Sequence, residues 1–421
     1  MGFRGNNCQA KKYLITTKIS FMKRISILVC IVLAICSCSK KALVINEIPF
    51  EFGINNAEPN LVEQDGKLSL SWVNSIRGEK ATLLYSQLEN DTWRKPTTIT
   101  SGSDWFVNWA DFPANATNGD VLLTSHLQKS ASGTYTYDVV LNLRKLNGEI
   151  IKENFLLNTD GMKAEHGFVS VIPNEKDGFL ITWLDGRNTV KEMNESHHKA
   201  MTIRVAEVSS DGTIFNETQL DGRTCDCCQT SISMTKNGPI IVFRDRSKNE
   251  IRDIYFSRRI NNKWTKPAAV YNDNWEINGC PVNGPKIVSS ATNTAVSWFT
   301  AANEQPTVKV SFLSDTGSFL EPIILNDLEA LGRVDIAFIS FDEVLVSYME
   351  SDANGTYLRC KKVNKNGKVS KAITVSKINS GRNTGVPQLE ILKNDAYLVW
   401  TISIDEKNQL KSVRFNLDGM Q

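Results

Sequence analysis

Short runs of strand-forming residues that end in a ring-bearing side chain recur along the chain. Seven copies occur at intervals of about 50 to 60 residues, namely Leu70–Trp72, Leu123–His126, Ile181–Trp183, Ile241–Phe243, Val296–Trp298, Val346–Tyr348 and Leu398–Trp400. A period of that length is typical of one four-stranded blade in a β-propeller. The pattern therefore predicts an all-β fold with seven blades, or with six if the copy that contains His126 is an insertion.

A tight turn follows each run at a similar offset. These turns are Asn90-Asp91, Asn147-Gly148, Asp211-Gly212, Asn261-Asn262, Thr316-Gly317, Asn366-Gly367 and Asp418-Gly419. Glycine, Asn and Asp tolerate the positive φ angles that two-residue hairpins need. Residues 39–421 show no helical periodicity, so the turns are interpreted as links between strands of one blade.

The two ends of the chain complement each other. The last repeat stops at Leu417-Asp418-Gly419, a predicted hairpin whose following strand is missing. An apolar segment without a repeat of its own, residues 43–48, lies at the mature N-terminus. We expect this segment to supply the missing strand and to close the ring, which removes an open sheet edge.

Residues 1–38 have the features of an export signal. From Met22 a Met-Lys-Arg start leads into the apolar run Ile25–Ile35 and then Cys36-Ser37-Cys38. The run is too short for a spanning helix, and the residues before Cys38 resemble a bacterial lipobox. The prediction is a true start at Met22 and lipidation at Cys38, with a plain secretory signal as the alternative. We therefore expect a lipid-anchored protein of the bacterial cell envelope, located in the outer membrane and facing the periplasm or the cell surface.

Charge argues against a nucleic-acid partner. The 421 residues carry 48 Lys and Arg against 46 Asp and Glu, but residues 1–38 hold six of the basic residues and no acid. Residues 39–421, the predicted propeller domain, are therefore mildly acidic and contain no basic block.

Polar residues cluster at two kinds of position, just before each innermost strand and just after each second strand. Both positions lie on the same face of a propeller, around its axis, where such folds bind ligands. The candidates are Asp111, His166, Arg187, Asp226, Arg244, Arg246, Asn283, Arg333 and Arg382. Guanidinium groups suit carboxylate, sulfate or phosphate, so an anionic ligand is predicted. The alternative is an Arg/Asp lattice that ties neighbouring blades together.

Four cysteines open two consecutive blades. In an exported protein Cys227 or Cys228 is expected to form a disulfide with Cys280, while Cys225 completes the group. Zinc or copper binding and free thiols remain alternatives, because Cys-x-Cys-Cys lacks the spacing of common zinc sites. No metal or cofactor enters the favoured prediction, and the adjacent His197 and His198 are interpreted as part of a solvated loop.

Several segments resemble the bacterial neuraminidase repeats of the sialidase superfamily. They are Asp315–Phe319, the Trp-x-x-Pro pairs at Trp93 and Trp264, Thr224–Gln229, Phe243–Ser247 and Gly279–Pro285, which are similar to those of exported proteins described as exo-α-sialidases. The resemblance implies a propeller, six-bladed in sialidases, that holds a sugar carboxylate with three arginines. It also implies an aspartate as acid/base, and a tyrosine activated by a glutamate as nucleophile.

The resemblance supplies the expected function. Asp111 or Asp226 would be the acid, and three of Arg187, Arg244, Arg246, Arg333 and Arg382 would bind the ligand with help from Asn283 and His166. The chain is expected to be a monomer that recognises an acidic glycan, with exo-glycosidase activity as a possibility. The alternatives are a non-catalytic scaffold for a protein partner and a cysteine-based metal or redox protein.

Overall fold

Seven antiparallel sheets follow one another along the chain. The computed structural model describes residues 42–76, 79–190 and 199–420, together with Met1. The chain divides into residues 1–42 and residues 43–421, and the second unit contains every strand named below. The predicted signal segment with Cys38, and the pair His197-His198, lie outside the described residues. Within those residues no helix is long and apolar enough to cross a membrane.

Each sheet forms one blade. Blade 1 contains β2 (Asn56–Gln64), β3 (Lys67–Ser75), β4 (Ala81–Glu89), β5 (Thr92–Trp93) and β6 (Thr97–Gly102). Blade 2 contains β7 (Asn115–Asn118), β8 (Val121–Lys129), β9 (Tyr137–Lys145) and β10 (Ile150–Leu156). Blade 3 contains β11 (His166–Pro173), β12 (Phe179–Asp185), β13 (Met201–Val208) and β14 (Ile214–Thr224). Blade 4 contains β15 (Ser231–Thr235), β16 (Gly238–Arg244), β17 (Ile254–Ile260), β18 (Lys263–Trp264) and β19 (Ala268–Ala269).

The remaining blades follow the same order. Blade 5 contains β20 (Lys286–Ser289), β21 (Thr294–Thr300), β22 (Thr307–Phe312) and β23 (Ile323–Ile324). Blade 6 contains β24 (Glu329–Phe338), β25 (Glu343–Asp352), β26 (Gly355–Asn364) and β27 (Ile373–Ile378). Blade 7 contains β28 (Gln388–Leu392), β29 (Asp395–Ile404) and β30 (Lys407–Asn416), and β1 (Ile45–Ile48) pairs with β30. Single 3₁₀ turns lie at Ala302–Glu304, Arg382–Thr384 and Leu417–Gly419.

The ring closes as the sequence predicts. β1 runs antiparallel to β30, with Ile45 opposite Phe415 and Ile48 opposite Ser412. Leu417–Gly419 forms a 3₁₀ turn after β30, and β1 takes the place of the strand that the sequence predicts to be missing there. Gly419 is needed for close packing, since a Cβ there would lie 2.9 Å from the Cα of Leu43.

The recurring ring-bearing residues occupy the second strand of every blade. Trp72, Trp183, Trp298 and Trp400 have no exposed surface, because each second strand is covered on both faces by its neighbours. In the described part of the chain, hydrophobic clusters fill all seven junctions between adjacent blades, including the one between blades 7 and 1. The predicted seven-bladed propeller is therefore confirmed, and the copy that contains His126 is a full blade.

Candidate functional site

A pocket of about 1020 Å³ opens on the face where the innermost strands begin. It is called the axial pocket, because its walls come from six of the seven blades, which only a position at the ring axis allows. Its lining residues are Glu58, Phe106, Val107, Asn108, Trp109, Thr134, Tyr135, Glu165, Phe168, Asp226, Cys227, Cys280, Val282, Arg382, Asn383, Gly385, Thr401 and Asn408. Most of them precede an innermost strand, as the sequence predicts for axial residues.

One side of the axial pocket is acidic. Glu165, the last residue before β11, accepts a hydrogen bond of 2.8 Å from the Tyr137 hydroxyl to its Oε1. Asp226 lies in the loop before β15 and accepts a 3.0 Å ion pair from Arg246 Nη1. Burial raises the pKa of Glu165 to about 7; the Tyr137 hydrogen bond opposes the rise and the charge of Asp226 adds to it. Glu165 is therefore poised to exchange a proton near neutral pH.

A third acidic group, Glu58, comes from blade 1. Its Oε2 is buried and has no hydrogen-bond partner within the described residues. Burial alone raises the pKa of Glu58 to about 8. The carboxyl group is therefore mostly neutral at pH 7, and it presents an O–H to the pocket as a donor.

Asp111 lies behind the wall of the axial pocket. Both of its carboxylate oxygens accept from the backbone N–H of Phe168, at 2.9 Å each. Burial raises the pKa of Asp111 to about 8, although the Phe168 hydrogen bond opposes the rise. The contact joins the loop before blade 2 to the innermost strand of blade 3, and the predicted role of Asp111 as an acid stays a prediction.

The opposite side of the axial pocket is basic. Arg382 is exposed in the pocket, and no hydrogen bond or ion pair engages its guanidinium among the residues that the structure covers. Arg333 lies behind it, with its Cζ 4.7 Å from the centroid of the Trp109 ring and its N–H groups on the carbonyls of residues 380, 381 and 385. Burial, followed by repulsion from Arg382, lowers the pKa of Arg333 to about 10. Within the described residues, neither guanidinium group forms an ion pair with a carboxylate.

The other predicted arginines are held by the protein. Arg187 forms ion pairs with Asp185, Asp160 and Glu217 of the same region, at 2.7, 3.3 and 2.9 Å. Arg244 is 2% exposed and donates only to backbone carbonyls, those of residues 252, 283 and 299. Arg246 binds Glu250 as well as Asp226. The structure thus places Arg333 and Arg382 together, and it places Arg187 and Arg244 in blade-stabilising networks.

His166 and Asn283 also lie in the framework rather than on the pocket surface. His166 is fully buried between Asp138 and Asp160, with nitrogen–oxygen distances of 3.4 and 3.3 Å. Burial opposes protonation, but these carboxylates prevail and raise the pKa of His166 to about 9. Asn283 accepts from the backbone N–H of Arg333 at 2.7 Å and so fixes blade 5 to blade 6. Neither side chain lines the axial pocket, and their ligand-binding roles stay predictions.

Four cysteines lie near one another where blades 4 and 5 begin, and they are here called the thiol cluster (Cys225, Cys227, Cys228 and Cys280). The Sγ of Cys225 lies 3.0 Å from that of Cys228 and 4.0 Å from that of Cys227. The thiol of Cys280 interacts with those of Cys225 and Cys227 but is not among the three sulfur atoms that lie within 4.8 Å of one another. The four thiols are free, and the predicted disulfide of Cys227 or Cys228 with Cys280 is not observed and stays a prediction.

Backbone bulges explain two pocket residues that the sequence did not reveal. Glu58 in β2 and Phe168 in β11 adopt positive φ angles of 54° each, and both strands change register there. Arg333 in β24, with φ 50°, occupies a third such bulge. A bulge re-aims side chains, so simple alternation along the strand gives the wrong direction. Glu165 had a usable signal, because it immediately precedes an innermost strand.

Aromatic side chains complete the axial pocket. Phe106 stacks on Tyr137 with the ring centroids 4.0 Å apart, and it meets the exposed Tyr135 edge-on at 6.1 Å. Trp109 stands on the basic side, over Arg333. Flat apolar surfaces beside hydrogen-bonding groups fit a ligand that has both apolar faces and polar edges, as a sugar ring does.

Comparison with known proteins gives similarity at the level of the fold. No protein-family model and no curated protein matches the chain. Among solved structures, the intramolecular trans-sialidase of Ruminococcus gnavus is 11% identical with a TM-score of 0.48, over 87% of this chain and 95% of that one. A mutant NanB sialidase of Streptococcus pneumoniae is 13% identical with a TM-score of 0.48, over 89% and 71%. An α-L-arabinofuranosidase of Fusarium graminearum is 11% identical with a TM-score of 0.46, over 90% and 98%. The seven-bladed β-propeller itself is established by the order of the sheets.

Proposed function

We propose that the axial pocket binds the terminal residue of an acidic glycan and that the protein hydrolyses the bond to that residue. Arg382 holds the anionic group of the sugar. Glu165 and Asp226 act on the glycosidic bond, and the aromatic side chains Phe106, Trp109 and Tyr135 pack on the sugar.

The observation that carries this proposal is the separation of charge across one pocket. Arg382 belongs to blade 7, whereas Glu165 and Asp226 open blades 3 and 4. In a ring of seven, blades 3 and 4 stand opposite blade 7. An anionic sugar held by Arg382 therefore spans the pocket and extends its other end toward the two carboxyl groups.

The two acidic groups have different surroundings, which suits them to different tasks. Glu165 is largely buried, and its pKa of about 7 leaves a large neutral fraction that can protonate a leaving oxygen. Burial also raises the pKa of Asp226, but the charge of Arg246, at 3.0 Å, opposes the rise and favours the anionic form. An acid and a carboxylate in one cleft are the pair that glycoside hydrolysis requires.

Tyr137 has a positioning role in this proposal. Its hydroxyl donates to Glu165, which matches the tyrosine–glutamate pair implied by the sialidase resemblance. However, Tyr137 has no exposed surface and does not line the axial pocket, because Phe106 stacks over its ring. Tyr137 therefore orients Glu165, and Asp226 is the group placed to act as nucleophile or base.

The test is hydrolysis of fluorogenic exo-glycosides, including sialosides and uronides. We expect the wild type to turn over a substrate of this panel. In Glu165→Gln the rate should fall at least about 100-fold, because loss of general acid catalysis typically costs that much. Arg382→Ala is expected to raise KM for acidic substrates. Arg94→Ala, which removes an exposed arginine of blade 1 that does not line the axial pocket, is the matched control and should behave as wild type. Wild-type activity in Glu165→Gln would refute the catalytic assignment.

A non-catalytic glycan-binding protein is the second candidate. The burial of Tyr137 favours it, because the nucleophile of the resembled enzymes is then out of reach. No turnover across the panel, together with glycan binding that depends on Arg382, would select this alternative.

We also propose that Cys38 carries a lipid that tethers the protein to the cell envelope. Support comes from the basic start at Met22, the short apolar run and the lipobox-like residues before Cys38. The expected result is recovery of the protein in the membrane fraction and release of Cys38→Ala into the soluble fraction. Soluble wild-type protein would contradict the anchor.

A further inference from the structure

The thiol cluster has a degree of convergence that ordinary packing does not require. Cys225, Cys227 and Cys228 lie within four consecutive residues, yet all three sulfur atoms point to one place, within 4.8 Å of one another. Cys280, in the loop before blade 5, is not in this group of three, but its thiol interacts with those of Cys225 and Cys227. Alternation along an extended segment would send neighbouring side chains to opposite faces. The loop before blade 4 is therefore shaped to gather its thiols.

The surroundings of the cluster compensate negative charge. Arg252 Nη1 lies 3.3 Å from the Sγ of Cys225, within hydrogen-bond distance of the sulfur. Both Cys225 and Arg252 are buried, at 0% and 2% exposure. A buried guanidinium on a sulfur atom is an outer-shell contact of the kind that supports a thiolate ligand.

We infer that the thiol cluster binds a thiophilic metal ion, Zn²⁺ or Cu⁺, at the junction of blades 4 and 5. Thiolates bound to zinc at 2.3 Å in a tetrahedron stand about 3.8 Å apart, which is close to the 4.0 Å between Cys225 and Cys227. The 3.0 Å between Cys225 and Cys228 has to widen by less than about 1 Å to admit the ion. A site of three or four sulfur ligands selects soft or borderline cations over Mg²⁺ and Ca²⁺.

Convergence favours a metal over the disulfide that the sequence suggests. A disulfide joins two sulfur atoms and leaves the other two without a task. Here the sulfur atoms of Cys225, Cys227 and Cys228 all lie within 4.8 Å of one another, which a metal site needs and a single disulfide bond does not.

Metal binding has a consequence for the axial pocket. Cys227 and Cys280 line the pocket wall, whereas Cys225 and Cys228 lie behind it. The ion would fix the loop that carries Asp226 to the next blade. Because its binding is measured directly, this inference stands or falls separately from the glycosidase proposal.

The experiment measures metal bound to the full-length chain. Protein reduced under anaerobic conditions is incubated with Zn²⁺ or with Cu⁺, passed through a desalting column and analysed for metal by mass spectrometry. About one ion per chain is expected for at least one of the two cations. Co²⁺ in place of Zn²⁺ should give the intense ultraviolet charge-transfer band of cobalt–thiolate bonds, and binding should release protons from the thiols.

The variants assign the site. Cys225→Ser should abolish metal binding. If Cys225→Ser does not fold, Cys280→Ser keeps the test valid, because it changes an exposed residue. Cys280→Ser should weaken metal binding. Cys360→Ala, which removes the buried thiol of β26 in blade 6, is the matched control and should retain the ion. No metal on the reduced wild type, or an unchanged metal ratio in folded Cys225→Ser and Cys280→Ser, would overturn the inference. Peptide mapping of protein from cells that shows Cys280 bonded to Cys227 or Cys228 would also overturn it.

Discussion

Replacement of Arg244 by alanine is predicted to lower stability, whereas replacement of Arg382 is predicted to weaken anion binding and to leave stability unchanged. Arg244 makes four hydrogen bonds to three backbone carbonyls, and its guanidinium lies 5.0 Å from the Trp275 ring centroid. In Arg244→Ala these buried carbonyls lose their donors, at about 1 to 3 kcal/mol each. Because the groups relax partly and water can enter the space, we expect a total loss of about 4 kcal/mol in unfolding free energy. Arg382→Ala removes no hydrogen bond or ion pair to the described residues, so the free energy of unfolding should stay within about 0.5 kcal/mol of wild type.

Thermal unfolding followed by circular dichroism at pH 7 measures the first effect. At about 2 °C per kcal/mol, Arg244→Ala should melt about 8 °C below wild type. Arg382→Ala should melt at the same temperature as wild type. Titration with N-acetylneuraminic acid as the probe measures the second effect. Arg382→Ala should bind about 10-fold to 100-fold more weakly, which corresponds to the loss of one charge-assisted hydrogen bond.

Melting temperatures or binding that differ from these expectations would contradict the assigned roles of Arg244 and Arg382. An Arg244→Ala protein that melts within 2 °C of wild type would show that its carbonyl contacts contribute little, since about 8 °C is expected. A large drop in the melting temperature of Arg382→Ala would show that this side chain has a structural role. Equal binding by Arg382→Ala and wild type would remove the anion subsite.

Three further predictions concern pH and ring closure. Burial raises the pKa of Glu58 from 4.5 to about 8, so the wild type should lose stability as pH rises through this range. In chemical denaturation, the unfolding free energy of Glu58→Gln should equal that of the wild type at pH 4 and exceed it at pH 9 by up to about 5 kcal/mol. Burial opposes protonation of His166, yet its carboxylate neighbours raise its pKa from 6.5 to about 9, so its contribution is complete below pH 6.5 and is lost as pH rises through 9. His166→Asn should therefore be most destabilising near pH 6, and equal losses of melting temperature at pH 6 and pH 10 would contradict this. Deletion of residues 43–48 removes β1 from blade 7, which should lower the melting temperature and expose β30 as an aggregation-prone edge; an unchanged melt would show that closure is dispensable.

Much of the fold could be predicted because its signals are local. A strand covered on both faces is apolar throughout, so Trp183 and Trp298 mark second strands without knowledge of their neighbours. Turns behave likewise: Asn90 and Asp91 take φ angles of 50° and 57°, as a two-residue hairpin requires. The Asp418-Gly419 turn takes a 3₁₀ form, and Gly419 packs there against Leu43, which lies just before the closing strand.

The candidate site was predicted only in part. The order of strands in a propeller indicated that residues before the innermost strands face the axis, and Asp226, Cys227, Cys280 and Arg382 do line the axial pocket. Glu58 was missed because a bulge in β2 turns its side chain, and nothing in the neighbouring residues marks that bulge.

The sequence by itself favoured seven blades over six, and it indicated the strand that closes the ring and the face that carries polar residues. These properties follow from period, turn chemistry and burial, which each segment carries within itself. Only the tertiary structure decided that Arg244 serves the framework while Arg382 is open to a ligand, and that the thiols of Cys225, Cys227 and Cys228 lie within 4.8 Å of one another. The physical reason is that an arginine or a cysteine has the same chemistry in either role. Its task depends on which distant groups satisfy its hydrogen bonds and charge, and the packing of the blades fixes those partners.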